Sequence, residues 1–363
     1  MNRSAPNNQG PVLIMAGGTG GHVFPALAVA DALRARNIPV VWLGTRQGLE
    51  ARVVPEAGLA MEWLTVRGLR GKGAAGWLLA PVRILRAAVE AVGVLRRQRP
   101  RAVLGMGGYV AGPGGLAAWL LRYPLVIHEQ NARAGLTNRL LARCARAVLA
   151  GFDGAFADAR AEVTGNPVRG DILRLAPPEQ RVPRSGRWRL LVLGGSLGAQ
   201  ALNETVARAV ARMPEAERPM IWHQAGQRTE DIARQAYADA GVEAEVSAFI
   251  ADMAAAYAWA DLVLCRAGAL TVSELAIAGV PAVLVPLPHA VDDHQTANAR
   301  HLVDAGAAVL LPQDELTAER LQEQLQELGG ERGRLLEMAH AARAVARPDA
   351  AETVAERCLE VAR

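Results

Sequence analysis

The stretch VLIMAGGTGGHVFPALAVADAL, residues 12–33, decides the fold. Its first four residues are apolar, a glycine-rich turn follows, and Leu27, Ala30 and Leu33 then recur at helical spacing. The stretch therefore predicts a strand, a glycine turn and a helix. The same alternation continues through three further apolar runs with helical stretches between them: IPVVWLG, RAVLGMGG and YPLVIHE. Alternating strands and helices predict an α/β fold with a parallel, doubly wound sheet.

The opening pattern returns in the second half of the chain as LLVLGGSLGAQALNETVARAV, residues 190–210. Four more predicted strands follow it: PMIWHQAG, AEVSAFI, DLVLCRAG and PAVLVPLP. The chain is therefore predicted to hold two related α/β halves. Residues 175–188, LAPPEQRVPRSGRW, are rich in Pro and Arg, and we expect a linker or boundary loop there. Residues 349–363 predict a terminal helix with a capping box from Asp349 to Glu352.

Length and composition indicate a globular protein of two domains. With 363 residues the chain exceeds what one core usually supports. Hydrophobic residues make up 51% and charged residues 21%, which gives ample core material, and 4% aromatic residues do not favour a base-stacking nucleic-acid platform. The net charge is +4 and the pI about 9.3. Where the basic residues cluster, they favour anionic ligands or an anionic membrane surface, and we expect no nucleic-acid partner.

Cysteine use and the N-terminal sequence predict a cytoplasmic protein. Cys144, Cys265 and Cys358 are far apart and show no CxxC spacing, which fits a reducing compartment without a disulfide framework or metal cluster. The polar N-terminus MNRSAPNNQG precedes a four-residue apolar run, which is too short for a signal-peptide core. No uninterrupted apolar stretch approaches the length of about 18 residues that a membrane-spanning helix needs.

Glycine-rich loops follow three of the predicted strands, at residues 17–22, 105–115 and 194–199; we call them the first, second and third glycine loops. A turn from a parallel strand into a helix leaves unpaired N–H groups at the positive end of the helix dipole, and glycine lets an anion approach them. A single loop of this kind is equally compatible with ligand binding and with a tight turn that serves only packing. Three of them, at strand ends in two related halves, favour phosphate binding. None has the lysine of GxxxxGK[ST], and the first does not fit GxGxxG, because Val23 stands where a third small residue is needed.

A fourth segment with site character is RAGALTVSEL, residues 266–275, directly after the predicted strand DLVLC. Its first helical turn would offer the hydroxyls of Thr271 or Ser273 and the carboxylate of Glu274, although an ordinary capped helix has the same pattern. Polar residues gather behind the next strand end, at Asp292, Asp293, His294, Gln295 and Asn298. Ligands of open α/β sheets bind at this edge, so the two segments together favour a binding site.

Six motifs, in this order and at these separations, resemble the MurG family of bacterial glycosyltransferases: GGTGGH, HEQN (128–131), GNPVR (165–169), GGSLGA, RAGALTVSEL and DDHQTANA. The match spans essentially the whole chain. That family transfers N-acetylglucosamine from UDP-N-acetylglucosamine to undecaprenyl-diphospho-muramoyl-pentapeptide, the step from lipid I to lipid II in peptidoglycan synthesis. The resemblance implies a GT-B architecture of two Rossmann-like domains facing a cleft. It implies an acceptor and membrane domain at 1–170, a UDP-sugar domain at 171–345, and a helix at 346–363 that packs back on the first domain.

The resemblance also implies site residues, carried over motif by motif. The donor-binding residues are Thr19, Gly20, Gly21, Asn131, Arg169, Ser196, Ile250, Ala269, Leu270, Thr271, Val272, Ser273, Glu274 and Gln295. The acceptor-binding residues are Gly17, Gly18, Gly107, Gly108, Tyr109 and Glu129. Ser196 and residues 269–271 would meet the diphosphate, and Glu274 the ribose hydroxyls. Ile250 would contact uracil through its backbone, Arg169 the nucleotide and Gln295 the sugar. Leu197 departs from the glutamine common in relatives, so we expect no side-chain contact from that position.

The chemistry of glycosyl transfer assigns a role to His22. The reaction needs a base for the attacking hydroxyl and stabilisation of departing UDP. We expect His22 to be the base, because imidazole at a helix N-terminus is pushed toward its neutral form; the alternative is that it only orients the loop or contacts phosphate. His128 is expected to be a structural residue at a strand end. No DxD motif lies where a metal would bridge the diphosphate, so we expect no metal or cofactor. Inversion to a β-1,4 linkage is implied by the resemblance alone.

Apolar residues recur at helical spacing at Leu78, Val82, Leu85, Val89 and Val92, which predicts a helix with one apolar face. Over its later half we expect this face to pack into the core. The beginning differs, because Trp77, Leu78 and Leu79 lie within a basic rim, formed by Arg67, Arg70, Lys72, Arg83 and Arg86. An apolar tip with a basic rim favours an anionic leaflet. Given a lipid-linked acceptor, this predicts peripheral binding to the cytoplasmic face of the inner membrane.

Three other functions stay open on the sequence alone. A nicotinamide-dependent oxidoreductase would share the doubly wound sheet, but VVWLGTRQG lacks the acidic residue that ends the second strand of such proteins. A UDP-N-acetylglucosamine epimerase of the same architecture would turn over the donor without an acceptor. A non-catalytic sugar-nucleotide-binding protein would bind the donor and release no UDP.

Overall fold

The computed structural model describes residues 10–66, 80–157, 161–181, 186–195, 198–288 and 293–362. The chain divides into two compact units. The first unit comprises Met1–Arg169 and Arg347–Arg363, and the second comprises Gly170–Ala346. Among the described residues, each unit contains one parallel sheet flanked by helices.

The first unit is built on seven strands. They are β1 (Val12–Met15), β2 (Val40–Gly44), β3 (Ala60–Trp63), β4 (Ala102–Gly105), β5 (Leu125–Glu129), β6 (Ala147–Ala150) and β7 (Ala161–Val163). Its first helices are α1 (Gly20–Ala35), α2 (Glu50–Glu56), α3 (Ala80–Gln98), α4 (Ala111–Leu120) and α5 (Leu136–Leu141). The strand order is β3-β2-β1-β4-β5-β6-β7, and neighbouring strands are parallel. The predicted α/β class with a parallel, doubly wound sheet is confirmed.

The second unit is built on six strands. They are β8 (Arg189–Leu193), β9 (Met220–Gln224), β10 (Glu245–Ser247), β11 (Leu262–Cys265), β12 (Ala282–Leu284) and β13 (Ala308–Leu310). Its helices are α6 (Gly170–Leu173), α7 (Pro178–Arg181), α8 (Gln200–Ala211), α9 (Glu230–Ala240), α10 (Met253–Trp259), α11 (Ala269–Ala278), α12 (His294–Val303), α13 (Ala318–Gly329) and α14 (Arg332–Ala344). The order is β10-β9-β8-β11-β12-β13, again parallel. A last helix, α15 (Ala350–Glu360), belongs to the first unit.

Alternate residues of β1 face two separate cores. All four are fully buried, as expected for a parallel strand covered on both faces. Val12 and Ile14 pack with α1, α2 and α15, whereas Leu13 and Met15 pack with α3, α4 and α5. The apolar run at the start of the opening stretch therefore anchors the helices on both sides of the sheet.

Helix α15 packs on α1 within the first unit. Val354, Ala355 and Cys358 are fully buried in the same core cluster as Val12 and Ile14. The predicted capping box is wrong, because the Asp349 side chain makes no capping hydrogen bond at the start of this helix. The carbonyl of Asp349 instead accepts hydrogen bonds from the N–H and Oγ1 of Thr353, at 2.9 and 3.0 Å.

The Pro- and Arg-rich stretch 175–188 is not a boundary between the units, because its described residues lie inside the second unit. Arg181 is 5% exposed, and its guanidinium donates to the carbonyl oxygens of Tyr257, at 3.1 Å, and Ala278. Trp188 is buried in the core of that unit. A buried arginine that satisfies backbone carbonyls ties this stretch to α10 and α11, so the prediction of a linker is wrong there.

Helix α3 buries a different face from the one that the sequence predicted. Val82, Leu85 and Val89 are 65%, 66% and 64% exposed. The expectation that the later half of the face packs into the core is therefore wrong for Leu85 and Val89, whereas Val92 is partly buried against the core. The buried residues of α3 are Ala87, Ala88, Ala91, Val94 and Leu95. Ala91, Val94 and Leu95 of α3 share a core cluster with Ala117 and Ala118 of α4, so α3 packs on α4 through this face. None of the helices formed by the described residues combines the length and apolar character needed to cross a membrane.

Candidate active site

The first and second glycine loops meet at one edge of the first sheet, because β1 and β4 are hydrogen-bonded neighbours. Gly107 and Gly108 lie in the left-handed region, with φ of +99° and +81°. A Cβ on Gly108 would overlap the carbonyl oxygen of Gly17, and a Cβ on Gly107 would stand 2.6 Å from Nδ1 of His22. Backbone therefore approaches backbone here, a contact that only glycine allows. The structure brings these predicted acceptor residues together beside the predicted base.

A buried carboxylate that the sequence analysis missed holds the first glycine loop. Glu50, at the start of α2, is fully buried and accepts a hydrogen bond from the backbone N–H of Gly18 at 2.9 Å. It also accepts from the N–H and Oγ1 of Thr45, at 3.0 and 2.7 Å. The N–H of Gly18 is therefore bound to a carboxylate. The available signal was a lone acidic residue shortly after β2, which periodicity alone does not distinguish from a surface position.

His22 is the last residue of the first glycine loop and lies in the first turn of α1. The residue before the helix, Thr19, is extended, and its side chain makes no capping hydrogen bond. Nδ1 of His22 lies 3.0 Å from Oε1 of Gln130, and the ring is partly exposed. The predicted base therefore stands at the positive end of a helix with one ring nitrogen bound to a side-chain amide.

Gln130, directly after β5, connects His22 to a buried histidine. Nε2 of Gln130 lies 3.2 Å from Nδ1 of His128, and Nε2 of His128 lies 2.9 Å from the carbonyl oxygen of Gly165. Burial lowers the pKa of His128 from 6.5 to about 4, although its bond to Gly165 and the charge of Glu129 both raise that pKa. His128 is therefore a neutral, fully buried residue at a strand end. The sequence analysis quoted Gln130 within HEQN and gave it no role.

Glu129 organises the loop that follows β5. It is 3% exposed, and its Oε1 accepts from the N–H and Nδ2 of Asn131 at 3.0 and 3.1 Å. Its Oε2 accepts from the N–H of Gly135 at 3.1 Å and from Nδ2 of Asn138 at 2.8 Å. Four hydrogen bonds to one buried carboxylate fix the position of Asn131. Glu129 therefore fixes the loop that contains Asn131, a predicted donor-binding residue.

Two more predicted site residues lie beside the start of α1. Tyr109, in the second glycine loop, is 51% exposed, and its ring carbon would lie 4.0 Å from a Cβ on Gly18. The guanidinium of Arg169 lies over the ring of Phe24, 5.1 Å from its centroid. Arg169 is held in place by this cation–π contact with α1.

The third glycine loop follows β8 in the second unit. Gly195 and Gly198 have φ of +78° and +79°, and a Cβ on Gly198 would overlap Oγ1 of Thr229. Close packing against Thr229 therefore requires glycine at 198. The predicted residues Ser196 and Leu197 lie outside the described residues. So do six of the residues predicted to contact the membrane: Arg67, Arg70, Lys72, Trp77, Leu78 and Leu79.

Helix α11 begins at Ala269, immediately after β11, with Gly268 at its N-cap. Gly268 has no side chain that could cap the helix, and the first N–H groups of such a helix can bind an anion. Oγ of Ser273 donates to the carbonyl of Ala269 at 3.0 Å, within the helix. Leu270 and Thr271 are partly exposed, whereas Val272 is buried. The segment predicted to bind the diphosphate therefore contains the start of a helix, where backbone N–H groups can bind an anion.

Glu274 follows one turn later and is 4% exposed. Its Oε2 accepts a hydrogen bond from the hydroxyl of Tyr257 on α10 at 3.0 Å. Ile250, in the loop before α10, is 5% exposed. Tyr257 was missed by sequence analysis, because nothing local marks a tyrosine that pairs with a carboxylate 17 residues later.

The loops after β11 and β12 are bound to each other by side chains. Nη1 of Arg266 donates to the carbonyls of Val285 and Pro286, both at 3.2 Å. Nδ2 of Asn298 donates to the carbonyl of Ala267 at 3.2 Å. Gln295, on α12, accepts from the N–H of Leu287 at 2.9 Å through Oε1. The predicted residues Ala269, Glu274 and Gln295 thus lie on helices whose preceding loops are held together.

A buried polar network lies beneath the third glycine loop. Nδ1 of His223 lies 2.9 Å from the hydroxyl of Tyr237, and Nε2 lies 3.1 Å from Oδ1 of Asn203. Nδ2 of Asn203 donates to the carbonyls of Ala225 and Thr229, both at 3.1 Å. Burial lowers the pKa of His223 to about 3. This neutral histidine supports the turn between β9 and α9 that Gly198 packs against.

The two buried histidines make folding stability depend on pH. Because the folded pKa values of His128 and His223 are about 4 and about 3, against an ordinary 6.5, the unfolded chain binds protons that the folded chain does not. The free energy of unfolding should therefore fall as pH drops below about 6.5, by about 2 kcal/mol per histidine between pH 7 and pH 5. Urea unfolding at both pH values measures this loss.

A non-titrating variant isolates one histidine. His223→Gln keeps a donor and an acceptor for Asn203 and Tyr237 but binds no proton. We expect its pH dependence to be smaller than that of the parent by about 2 kcal/mol over the same range. Equal pH dependence in parent and variant would contradict a neutral His223.

Among the described residues, no group of three or more His, Cys, Asp and Glu side chains is arranged to hold a metal ion.

Comparison with known proteins assigns the family. Residues 12–150 match the glycosyltransferase family 28 N-terminal domain, and residues 189–354 match the glycosyltransferase family 28 C-terminal domain. A curated relative from Alkalilimnicola ehrlichii is 64% identical over 354 residues, which cover 97% of this chain and 99% of the relative. That relative is named "UDP-N-acetylglucosamine--N-acetylmuramyl-(pentapeptide) pyrophosphoryl-undecaprenol N-acetylglucosamine transferase".

Solved structures agree with this assignment. The crystal structure of Acinetobacter baumannii MurG has a TM-score of 0.83 and 43% identity, and the match covers 97% of this chain and 99% of that chain. A UDP-GlcNAc 2-epimerase from Neisseria meningitidis has a TM-score of 0.68 at 15% identity, covering 96% and 100%, which shows a shared fold alone. The two Rossmann-like sheets and these matches confirm the predicted GT-B fold class. The chain belongs to the MurG family within glycosyltransferase family 28.

Proposed function

We propose that this protein transfers N-acetylglucosamine from UDP-N-acetylglucosamine to the C4 hydroxyl of the muramoyl sugar of undecaprenyl-diphospho-muramoyl-pentapeptide. The observation that carries the proposal is the 64% identity to a relative of that named activity, over 97% of this chain. The geometry is compatible with it, because both units present glycine loops and a helix start suited to anions. The acceptor and the donor each carry a diphosphate.

The first unit is proposed to hold the acceptor and to supply the base. His22 takes the proton of the attacking hydroxyl. The acceptor oxygen then bonds to the anomeric carbon, while the bond from that carbon to the diphosphate oxygen breaks and UDP leaves with the electron pair. Gly107 packs against the His22 ring, and Gly17, Gly18, Gly107 and Gly108 are proposed to line the acceptor site. The N–H of Gly18 is bound to Glu50 and is not among the groups proposed to receive the acceptor diphosphate. Tyr109, together with the loop shaped by Glu129, is proposed to contact the acceptor. An inverted, β-linked product is the expected outcome.

The second unit is proposed to hold the donor. The start of α11, residues 269–271, would stabilise the charge that develops on departing UDP, together with Ser196. Val272 and Ser273 belong to the same proposed donor-binding segment. Glu274 is proposed to bind the ribose, Ile250 the uracil through its backbone, and Gln295 the sugar. From the first unit, Thr19–Gly21, Asn131 and Arg169 are proposed to complete donor recognition.

UDP release with and without acceptor tests the proposal against its rivals. We expect release only when a short-chain lipid-diphosphate muramoyl-pentapeptide is present. Conversion of the donor without any acceptor would favour an epimerase, with which the chain shares the fold. Donor binding with no release under either condition would favour a non-catalytic sugar-nucleotide-binding protein.

We also propose that the first unit binds the cytoplasmic face of the inner membrane. Large apolar side chains are exposed on three helices that pack in series, α3 to α4 to α5. They are Val82, Ile84, Leu85, Val89, Leu116, Trp119, Leu120, Leu136 and Leu140. Exposed arginines on or beside these helices include Arg83, Arg86, Arg122, Arg139 and Arg143. An apolar surface with a basic rim fits an anionic leaflet, and a lipid-linked acceptor requires such contact.

Removing apolar side chains from this surface should weaken vesicle binding. We expect Leu85→Ser combined with Trp119→Ser to reduce sedimentation with anionic phospholipid vesicles about tenfold, because each substitution removes apolar surface that the bilayer would bury. The matched control is Met220→Ser, which removes a 47% exposed apolar side chain from the second unit. Equal binding of the double variant and the control would exclude this surface. Trp77→Ser and Leu79→Ser carry the same expectation.

A further inference from the structure

We propose that Gln130 is a positioning residue that leaves Nε2 of His22 as the bare, proton-accepting nitrogen. The inference rests on the proposed function only in calling that nitrogen the base. Its physical content is a chain of hydrogen bonds whose direction is set at one end by a backbone carbonyl. The chain runs from Gly165 through His128 and Gln130 to His22.

The direction begins at the carbonyl oxygen of Gly165, which can only accept. Nε2 of His128 lies 2.9 Å from it and must therefore carry the proton. Because His128 is fully buried and its pKa is lowered to about 4, the ring holds a single proton at neutral pH. Nδ1 of His128 therefore carries a lone pair and can only accept.

That lone pair decides the orientation of the Gln130 amide. The NH₂ group lies 3.2 Å from Nδ1 of His128 and 3.4 Å from the carbonyl oxygen of the same residue. Rotating the amide by half a turn would place its oxygen against two acceptors. That arrangement would leave buried groups without hydrogen bonds, at a cost far above that of the observed orientation. The amide oxygen must therefore face away from His128.

The amide oxygen lies 3.0 Å from Nδ1 of His22, so Nδ1 donates its proton to it. In a neutral ring the second nitrogen, Nε2, then holds the lone pair. Gly107 supports this arrangement, because a Cβ there would stand 2.6 Å from Nδ1 and 2.7 Å from Cε1 of the ring. The ring thus lies flush against backbone on one side and is tied to an amide by its Nδ1.

An amide suits this task better than a carboxylate would. Its oxygen accepts from Nδ1–H whether His22 is neutral or protonated, so the bond persists while Nε2 gains and loses a proton. An amide also has no proton to exchange with the ring. Gln130 therefore fixes the geometry of His22 without changing charge during the reaction.

The ring nitrogens of ¹⁵N-histidine-labelled protein test the inference directly. In the parent protein, NMR should show His22 as the form with a proton on Nδ1 and a bare Nε2, the signal being assigned by its loss in His22→Ala. A bare Nδ1 on His22 in the parent would overturn the inference. The experiment uses protein without substrate, so it gives an answer whether or not the protein transfers sugar.

A variant then shows that Gln130 is the cause. Gln130→Met fills similar space without polar groups, and we expect His22 to become a mixture of both neutral forms. We also expect kcat to fall about tenfold with KM for the donor unchanged, the size of one lost hydrogen bond to a reacting group. His223 serves as the internal control, because its own partners, Asn203 and Tyr237, are unaltered and its bare nitrogen should stay Nδ1.

Two results would contradict the role of Gln130. One is a variant whose His22 keeps Nε2 as the only bare nitrogen. The other is a folded variant, with unchanged His223 signals, whose kcat equals that of the parent. If the variant does not fold, the parent spectrum still decides which nitrogen is bare.

Discussion

Replacing His22 by alanine is expected to lower kcat by about 100-fold to 10,000-fold, the range that one general base contributes. Donor affinity should be nearly unchanged, because most of the residues proposed to bind the donor lie in the second unit. The measurement is acceptor-dependent UDP release at saturating donor, with donor affinity determined separately. Alanine also removes the partner of the Gln130 amide oxygen, and because Gln130 is 1% exposed we expect some loss of stability beside the loss of kcat.

The control for His22→Ala is the same substitution at His340, an exposed residue of α14 in the second unit. We expect His340→Ala to retain parental turnover and stability. Near-parental turnover in His22→Ala would reject the base and leave His22 with the alternative role of orienting the loop. Equal losses of kcat and donor affinity would point to a binding role.

Replacing Gly108 by alanine is expected to lower the free energy of unfolding by about 2 to 5 kcal/mol and to abolish most transfer. Its φ of +81° costs an alanine about 1 to 2 kcal/mol, and overpacking adds about 1 to 3 kcal/mol more. The added Cβ would overlap the carbonyl oxygen of Gly17, so it would push the two glycine loops apart. Urea unfolding and transfer activity measure the two effects.

The chain offers a matched control for the backbone strain alone. Gly58 has a similar φ of +71°, and nothing lies within 4 Å of a Cβ placed there. Gly58→Ala should therefore cost about 1 to 2 kcal/mol and leave transfer intact. If Gly108→Ala behaves like Gly58→Ala in both measurements, the contact between the loops is not needed for the reaction.

The glycine loops were predictable because their signal is local. An apolar run, a glycine turn and helical spacing in residues 12–33 are enough to predict β1 and α1, and the structure has both. Three of the strands that sequence analysis missed are sheet edges: β3, β7 and β13. An edge strand such as β7, with no fully buried residue, lacks the apolar run that marks a central strand. The inner strand β6 was missed because its alanine-rich surroundings do not distinguish strand from helix.

The exposed face of α3 shows a different limit. Helical spacing of Val82, Leu85 and Val89 predicts an apolar face but does not say what covers it. Helix α4 packs against the face of α3 that contains Ala91, Val94 and Leu95. Which face of α3 is buried therefore depends on packing with another helix, which the spacing within α3 does not show. The same holds for Gln130. Its orientation is set through His128 by the carbonyl of Gly165, which lies 35 residues later in the sequence. Motifs therefore locate a site, whereas hydrogen-bond directions require the fold.

The most direct test of the proposed function is transfer of labelled N-acetylglucosamine from its UDP donor to a short-chain lipid-diphosphate muramoyl-pentapeptide. A reaction without acceptor runs alongside. We predict a labelled lipid-linked disaccharide together with an equal amount of UDP, and neither in the absence of acceptor. Tight UDP binding without any disaccharide product would contradict the proposed reaction, even though the chain belongs to this family.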